Sequence, residues 1–375
     1  MDQAPIPTGK PRWPWVSLAT FGLVVVVIVD YVTGTEASAS LLYLVPVSIA
    51  AWFVSLRAGA TFALASAAGW AATYVLSRHL VFRPGLLFWN TAVETAVYLI
   101  VAIMLSTIRI DVERQRALAA RLELAYQELD RENAKIGELQ RQMLPAAPPP
   151  IPGYRLAVHY SPSARAGGDS YDFFDLEDGG VGLWISDASG HGSPAAVVMA
   201  MTRALVRGNG HASGAADRFL DSANRRLKRI ILPGQFVTAC FAVFGPEVGE
   251  VEYALAGHNP PLLVRRDDGR VERLESATGL PLGLFADPVY QRATVRVLAG
   301  DTLLFYTDGL TEAMDQDQGL FGIERLEQIL TEHRRVPEAE LRERLLEALR
   351  EHRHGAPLSD DLTFIVVCAT GVPGT

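Results

Sequence analysis

Two cysteines in 375 residues, Cys240 and Cys368, leave no basis for a disulfide framework. They lie far apart, each in an apolar, strand-like stretch, and neither has metal-ligand spacing. Both are read as buried small hydrophobes in a reducing compartment. An excess of basic charge is also missing. The formal net charge is −8 at pH 7, whereas a nucleic-acid binder normally carries a clustered basic surface, so no nucleic-acid partner is expected. Long apolar runs are the opposite case: they are present, and they crowd into the first third of the chain.

Those runs occupy residues 15–32, 41–54, 59–75 and 86–108. The first and last approach the ~20 residues of a spanning helix; the middle two are shorter or richer in alanine. The reading is a transmembrane region of about four spans over residues 1–109, with the lipid bilayer as a partner. No small-residue cleavage site follows the first run, and further apolar runs do, so a cleaved signal peptide is not expected. Lys10 and Arg12 precede the first run, Arg57 lies between the second and third, and Arg109, Arg114 and Arg116 follow the fourth. Asp30 and Glu36 occupy the first loop. Counting positive charges places both termini in the cytoplasm, although Arg78 and Arg83 count against it. Glu94, in "FWNTAVETAVYL", is an ionisable group within the last run. It is either a sensor or relay residue or a hydrogen-bonding partner for a neighbouring helix.

In residues 110–145, Leu118, Leu122, Ala125, Leu129, Glu132, Ile136, Leu139 and Met143 follow an alternating four-three spacing among charged residues. That is the seam of a coiled coil, weakened at Ala125 and broken at Glu132. It predicts a signalling helix and a homodimer, or else a solvated helical spacer. The proline-rich junction, residues 146–153, ends the helix. Beyond it the pattern changes to short strands rich in β-branched and aromatic residues. Two helical stretches separate them, residues 193–207 continuing through 215–231, and residues 323–352. Strands joined mostly by turns, with helical insertions, predict an α+β domain over residues 154–370 and not a doubly wound parallel sheet.

Four aspartates share one setting. Asp169 follows paired glycines in "AGGDSYD"; Asp187 ends "VGLWIS"; Asp308 ends "TLLFYT" and precedes Gly309; Asp360 precedes "LTFIVV". Carboxylates at strand ends beside glycine point out of a sheet edge, where backbone can approach a ligand closely. Each alone reads as a turn. Together, if they converge, their repulsion requires a cation, and oxygen-only ligands select Mg²⁺ or Mn²⁺ over zinc. Asp187, Ser189 and His191 in "ISDASGHG" supply the residue types of a hydrolase triad. Triad members come from separate chain segments, however, and Asp187 stands where a nucleophile elbow would need its first glycine.

"GGDSYD", "ISDASGHG", "LAGHNPPLL", "GLPLGL", "FYTDGLTEA" and "SDDLTFIVV" occur in an order that resembles the metal-dependent PPM-type protein phosphatases, most closely the bacterial SpoIIE and RsbU-like branch. The resemblance spans roughly residues 150–369. It implies a β-sandwich of two antiparallel sheets flanked by helices, preceded here by a four-helix transmembrane region and a coiled-coil linker. It also implies a two-metal centre, Mn²⁺ or Mg²⁺, at one end of the sandwich. By position Asp187 would bridge the two ions and the Ala188 carbonyl would replace the usual glycine carbonyl. Asp169 would serve the second ion, and Asp308 and Asp360 would complete the first. Asp361, Asp172 and Arg165 are secondary candidates, Arg165 as a possible phosphate contact; no catalytic side chain beyond the activated water is implied. His258 and Asn259 are read as turn formers.

The implied activity is hydrolysis of phosphoserine or phosphothreonine on a partner protein, in this branch usually a STAS-domain anti-anti-sigma factor. The setting would be the bacterial inner membrane with the phosphatase domain in the cytoplasm, and residues 30–47 resemble the opening of membrane modules on bacterial signalling enzymes. Two rivals stand beside this reading. One is a catalytically inactive binding module of the same fold. The other is a diguanylate cyclase, suggested by "GGDSYD" but opposed by Ser170 and Tyr171 at the hallmark's last two positions.

Overall fold

The computed structural model describes residues 12–33, 39–77, 84–177, 179–208, 215–245 and 249–370. Lys10, Glu36, Arg78 and Arg83, used above to orient the chain, lie outside the described residues. The chain divides into two compact units, Met1–Tyr126 and Gln127–Thr375.

In the first unit the apolar runs are helical: α1 (Trp13–Thr33), a single 3₁₀ turn (Ser40–Tyr43) leading into α2 (Leu44–Phe53), α3 (Leu56–Ser77) and the start of α4 (Pro84–Met143). Three of these, α1, α3 and α4, are long and apolar enough to cross a membrane. The segment Ser40–Phe53 is shorter; at 1.5 Å per residue it reaches about 21 Å, less than the ~30 Å of bilayer hydrocarbon. The helices meet through small side chains, with Ala51, Ala63, Ala67 and Ala102 buried around Tyr43 and Tyr98, which lets their backbones approach closely. Asp30 is not in a loop. It lies in α1, almost fully buried, where its carboxylate accepts from the Tyr43 hydroxyl at 3.1 Å and the Thr73 hydroxyl at 2.5 Å. Those donors allow the helix to continue through it. Glu94 is half-buried within hydrogen-bonding reach of the Tyr98 hydroxyl, which donates to the Ser40 carbonyl at 2.8 Å.

Helix α4 runs 60 residues without a break and stops just before the proline run. Of its seam positions, Leu118, Leu122, Leu129 and Leu139 are all more than half exposed.

In the second unit ten strands form two antiparallel sheets. One has the order β1 (Tyr154–Ser161), β10 (Leu362–Ala369), β9 (Thr302–Tyr306), β6 (Leu262–Val264), β7 (Val271–Arg273). The other has β2 (Ser170–Asp175), β3 (Val181–Ala188), β4 (Val237–Phe244), β5 (Glu250–Ala256), β8 (Arg292–Arg296). Strand β10 shows why its sequence is apolar without alternation. Ile365, Val367 and Ala369 enter the main core, while Phe364 and Val366 enter a second core with Leu326, Leu330, Leu341 and Leu345. Period two sends alternate side chains to opposite faces, and both faces are covered. The covering helices are α7 (Ile323–Glu332) and α8 (Glu338–Arg353) on this sheet. Helices α5 (Ser193–Arg207) and α6 (Ala216–Leu227) cover the other, with Phe219 stacked on Phe241 at 3.8 Å.

The expected sandwich is present, and α5 has the predicted bounds. Two strands, β2 and β7, had no counterpart in the sequence reading. The single helix expected over residues 323–352 is two, α7 and α8. Pro337 caps α8 in extended conformation, so the segment before it cannot stay helical.

Candidate metal centre

Sheet register delivers the aspartates. Strands β1 and β10 pair from Tyr154↔Ala369 to Ser161↔Leu362, and β10 pairs with β9 up to Phe364↔Tyr306. Asp308 just beyond β9 and Asp360 just before β10 therefore emerge at the same end of their sheet. On the facing sheet Ser170 pairs with Ser186, which puts Asp169 and Asp187 beside one another. The Gly168 carbonyl accepts from the Ala188 amide at 3.2 Å, closing that pair of strands at its tip.

Glycine is required where these loops cross. A Cβ on Gly168 would lie 2.6 Å from the Ala188 carbonyl oxygen and 3.1 Å from Asp187 Oδ1. One on Gly309 would lie 2.0 Å from the Asp361 carbonyl oxygen. Ala188 itself has no left-handed φ, so an alanine presents its carbonyl there without strain.

Burial and like charge dominate the electrostatics. Asp169 is 1% exposed, and its proton affinity is raised well above the usual carboxylate range by burial, then by Asp187. Asp187 is pushed up to about 8, first by burial and then by Asp308, Asp360 and Asp361. Asp308 is raised by burial and then Glu312, and Asp360 chiefly by burial. The carboxylates are not drawn into a closed shell. Among the described residues, no three acidic, histidine or cysteine side chains are grouped closely enough to hold an ion unaided. Their oxygens, with the Ala188 carbonyl beside Asp187, make a setting that is repulsive as it stands and would be relieved by added positive charge.

Three residues that sequence reasoning missed, Thr307, Thr363 and Gln140, and one secondary candidate, Asp361, fix Asp169 and the loop before it. Asp169 Oδ2 accepts from the Thr307 hydroxyl at 2.8 Å and the Thr363 hydroxyl at 2.6 Å. Asp361 grips the loop before Asp169. Its Oδ2 accepts from the Gly168 amide at 2.5 Å, and its Oδ1 from the Ser163 amide and hydroxyl at 2.8 and 3.0 Å. On α4, Gln140 is buried and pairs reciprocally with Gly167: its Nε2 donates to the Gly167 carbonyl at 2.8 Å, and its Oε1 accepts from the Gly167 amide at 3.1 Å. Nothing at sequence level marks what these residues hold, because it lies 27 to 198 residues away from them.

Other candidates are placed elsewhere. Asp172 is buried on β2 and paired with Arg203 at 3.1 Å and Arg207 at 2.7 Å, an anchor for α5. The exposed Arg165 makes two bonds to Asp130 of α4, at 2.9 and 3.0 Å, beside a cleft of about 500 Å³ that Asn133 and Ser193 also line. Ser189 is a loop residue: its hydroxyl accepts from the Phe236 amide at 2.9 Å. His258 is buried with Nδ1 2.9 Å from the Thr238 hydroxyl. No triad is assembled from Asp187, Ser189 and His191.

The profile of Stage II sporulation protein E (SpoIIE) matches residues 177–370. The chain is 26% identical over 213 residues to the phosphoserine phosphatase RsbP of Bacillus subtilis, covering 56% of this chain and 51% of that protein. It is 25% identical over 241 residues to the phosphoserine phosphatase RsbU of the same organism, covering 64% and 71%. The chain thus spans about half the length of RsbP. Among solved structures, the PP2C domain of SiaA from Pseudomonas aeruginosa superposes with a TM-score of 0.56 at 22% identity, covering 64% of this chain and 97% of that domain. A sandwich with the PP2C fold, bearing aspartates at one end and matched over more than half its chain by the SpoIIE profile, belongs to the SpoIIE family of PPM-type serine/threonine phosphatases.

Proposed function

We propose that this chain is a membrane-anchored protein phosphatase that removes phosphate from serine or threonine of a partner protein. The observation that carries the reading is the arrival of Asp169, Asp187, Asp308 and Asp360, from four distant segments, at one end of the sandwich. Asp187, Asp308, Asp360 and the Ala188 carbonyl would hold one divalent cation, with Asp187 and Asp169 serving a second. Bound there, Mn²⁺ or Mg²⁺ supplies Lewis-acid neutralisation of phosphoryl oxygens and makes water more acidic. The chain's own residues do the positioning. Thr307 and Thr363 fix the rotamer of Asp169. Asp361 holds the glycine loop against Asp187, and the buried walls keep the carboxylates poorly solvated. Neither Ser189 nor His191 acts as nucleophile or base, so no phosphoenzyme forms.

The resemblance to RsbP and RsbU supports a phosphorylated STAS-domain protein as substrate. The apolar lengths of α1, α3 and α4 support anchoring in the bacterial inner membrane, and Arg109, Arg114 and Arg116 after the last apolar run support a phosphatase domain in the cytoplasm. The exposed leucines of α4 support a parallel homodimer. In this reading α4 passes a membrane signal to the metal site, and the Gln140 clamp on Gly167 gives it a route to Asp169 and Asp187. The test is dephosphorylation of purified phospho-STAS proteins with added Mn²⁺ by wild type and Asp187→Asn. Loss in the variant is expected; equal rates would remove the two-metal reading.

A further inference from the structure

The end of the sandwich opposite the aspartates is lined with arginine. A cavity of about 330 Å³ opens there, bounded by the start of β1, the end of β10, the turn before β9 and the α7–α8 connection. Arg155, Arg266, Arg334 and Arg335 all line it, against one carboxylate, Glu338. Among the described residues none of the four guanidinium groups forms an ion pair. Their neighbour Arg265 shows the contrast, pairing with both Glu272 at 3.0 Å and Asp301 at 2.8 Å. The bonds that Arg334 makes, to the carbonyls of Arg266 at 3.3 Å and Thr331 at 2.9 Å, orient its fork without offsetting its charge. Arg266 lies across Gly300, where a Cβ would come within 2.2 Å of its Cδ and φ is +90°. A side chain at that position would push the guanidinium away.

Four like charges around one cavity repel, and in its lining Glu338 alone stands against them, so most of the compensating charge comes from outside. Guanidinium forks match phosphate oxygens two at a time, and four of them exceed what a single phosphate can engage. The volume sits at the small end of the ~300–1,000 Å³ usual for small-molecule sites. We propose that this cavity binds a ligand presenting two adjacent phosphate groups, either free in solution or offered by neighbouring lipid headgroups. The eight residues of β10 separate it from the aspartate end, about 26 Å at ~3.3 Å per residue, so it is not a subsite of the metal centre. The inference goes beyond the phosphatase reading and does not depend on it.

The experiment is calorimetric titration of the full chain in phosphatidylcholine nanodiscs. EDTA is present so that inorganic pyrophosphate cannot reach the aspartates through a metal. The expected result is one saturable site per chain, binding pyrophosphate about tenfold or more tightly than orthophosphate. Arg155→Glu with Arg335→Glu should weaken binding at least about tenfold, and Arg155→Lys with Arg335→Lys should fall between. Thermal unfolding midpoints within the wild-type range show that both variants fold. Absence of saturable heat, equal affinity for orthophosphate, or unchanged affinity in the charge-reversed variant each overturns the proposal. Repeating the wild-type titration in phosphatidylglycerol discs separates the sources. Competition by the anionic lipid assigns the phosphates to headgroups, and unchanged affinity assigns them to a soluble ligand.

Discussion

The two ends of the sandwich carry opposite charge, and they reach it in different ways. At one end buried and half-buried aspartates face one another, and two of them, Asp169 and Asp361, are fixed by hydroxyls and amides from other segments. At the other, arginines lie at a surface cavity with few fixed partners. The same strands, β9 and β10, run from one end to the other. The contrast teaches that burial decides how rigidly a charge must be held. A carboxylate removed from water has to find donors, so its position becomes determined; a guanidinium at a surface keeps its hydration and its freedom.

The sharpest way to test the contrast is to strike the aspartate end. Asp187→Asn should lower turnover on a phosphoprotein by more than the ~10–100-fold that outer partners of metal ligands are worth, whereas the glutamate substitutions at Arg155 and Arg335 should leave it unchanged. Equal losses at both ends would erase the distinction. A step down, Thr307→Val and Thr363→Val remove the hydroxyls that hold Asp169. Each should weaken Mn²⁺ affinity about 10–100-fold, with turnover recovering as Mn²⁺ is raised. If added Mn²⁺ restores nothing, the threonines do more than orient a ligand. Gln140→Ala should destabilise the second unit by about 1–3 kcal/mol, because it strands the buried Gly167 amide and carbonyl. It should also weaken Mn²⁺ binding, and Gln140→Glu should rescue it only in part because it keeps the acceptor alone. Chemical denaturation with a parallel metal titration reads both effects.

The smallest expected effect comes from two histidines outside the carboxylate set, His258 buried and His159 half-buried. Burial lowers His159 and His258 to about 4. Both stay neutral in the folded protein until about that pH, while the unfolded chain takes up their protons near 6.5. Between those values the unfolded state binds more protons, so this contribution to stability is complete above 6.5 and is lost as pH falls towards 4. Urea midpoints at pH 7.5 and 5 should differ less in a His159→Gln, His258→Gln variant than in wild type. An unchanged difference would assign the acid sensitivity to other groups.

What was legible in the sequence were features that carry their cause locally. Apolar runs gave helices, β-branched runs gave strands, and an aspartate beside glycine at a strand end marked each corner of the site. What was hidden depends on partners far away in the chain. Strand β2 begins immediately after Asp169, and five of its six residues are buried, so the stretch read as a loop attached to a motif. Asp30 looked like a loop charge because the donors that let it enter a helix, Tyr43 and Thr73, belong to other helices. The roles of Asp361 and Gln140 likewise needed the folded loop before they had meaning. The α7–α8 break was the exception: Pro337 announced it, and the apolar spacing on either side masked the signal.

The continuous helix α4 has a practical consequence for dissecting the protein. The proline run after Met143 looks like the natural place to cut, since composition and secondary structure both change there. The compact unit nevertheless begins at Gln127, sixteen residues before the helix ends. A fragment starting at the prolines would discard Asp130, Asn133 and Gln140, and with them three of the fastenings on the loops near the candidate metal ligands. A fragment starting before Gln127 keeps them. Sequence punctuation and mechanical boundary fall at different residues, and a truncation series across residues 120–150 would measure how much of the phosphatase's competence resides in that short overlap.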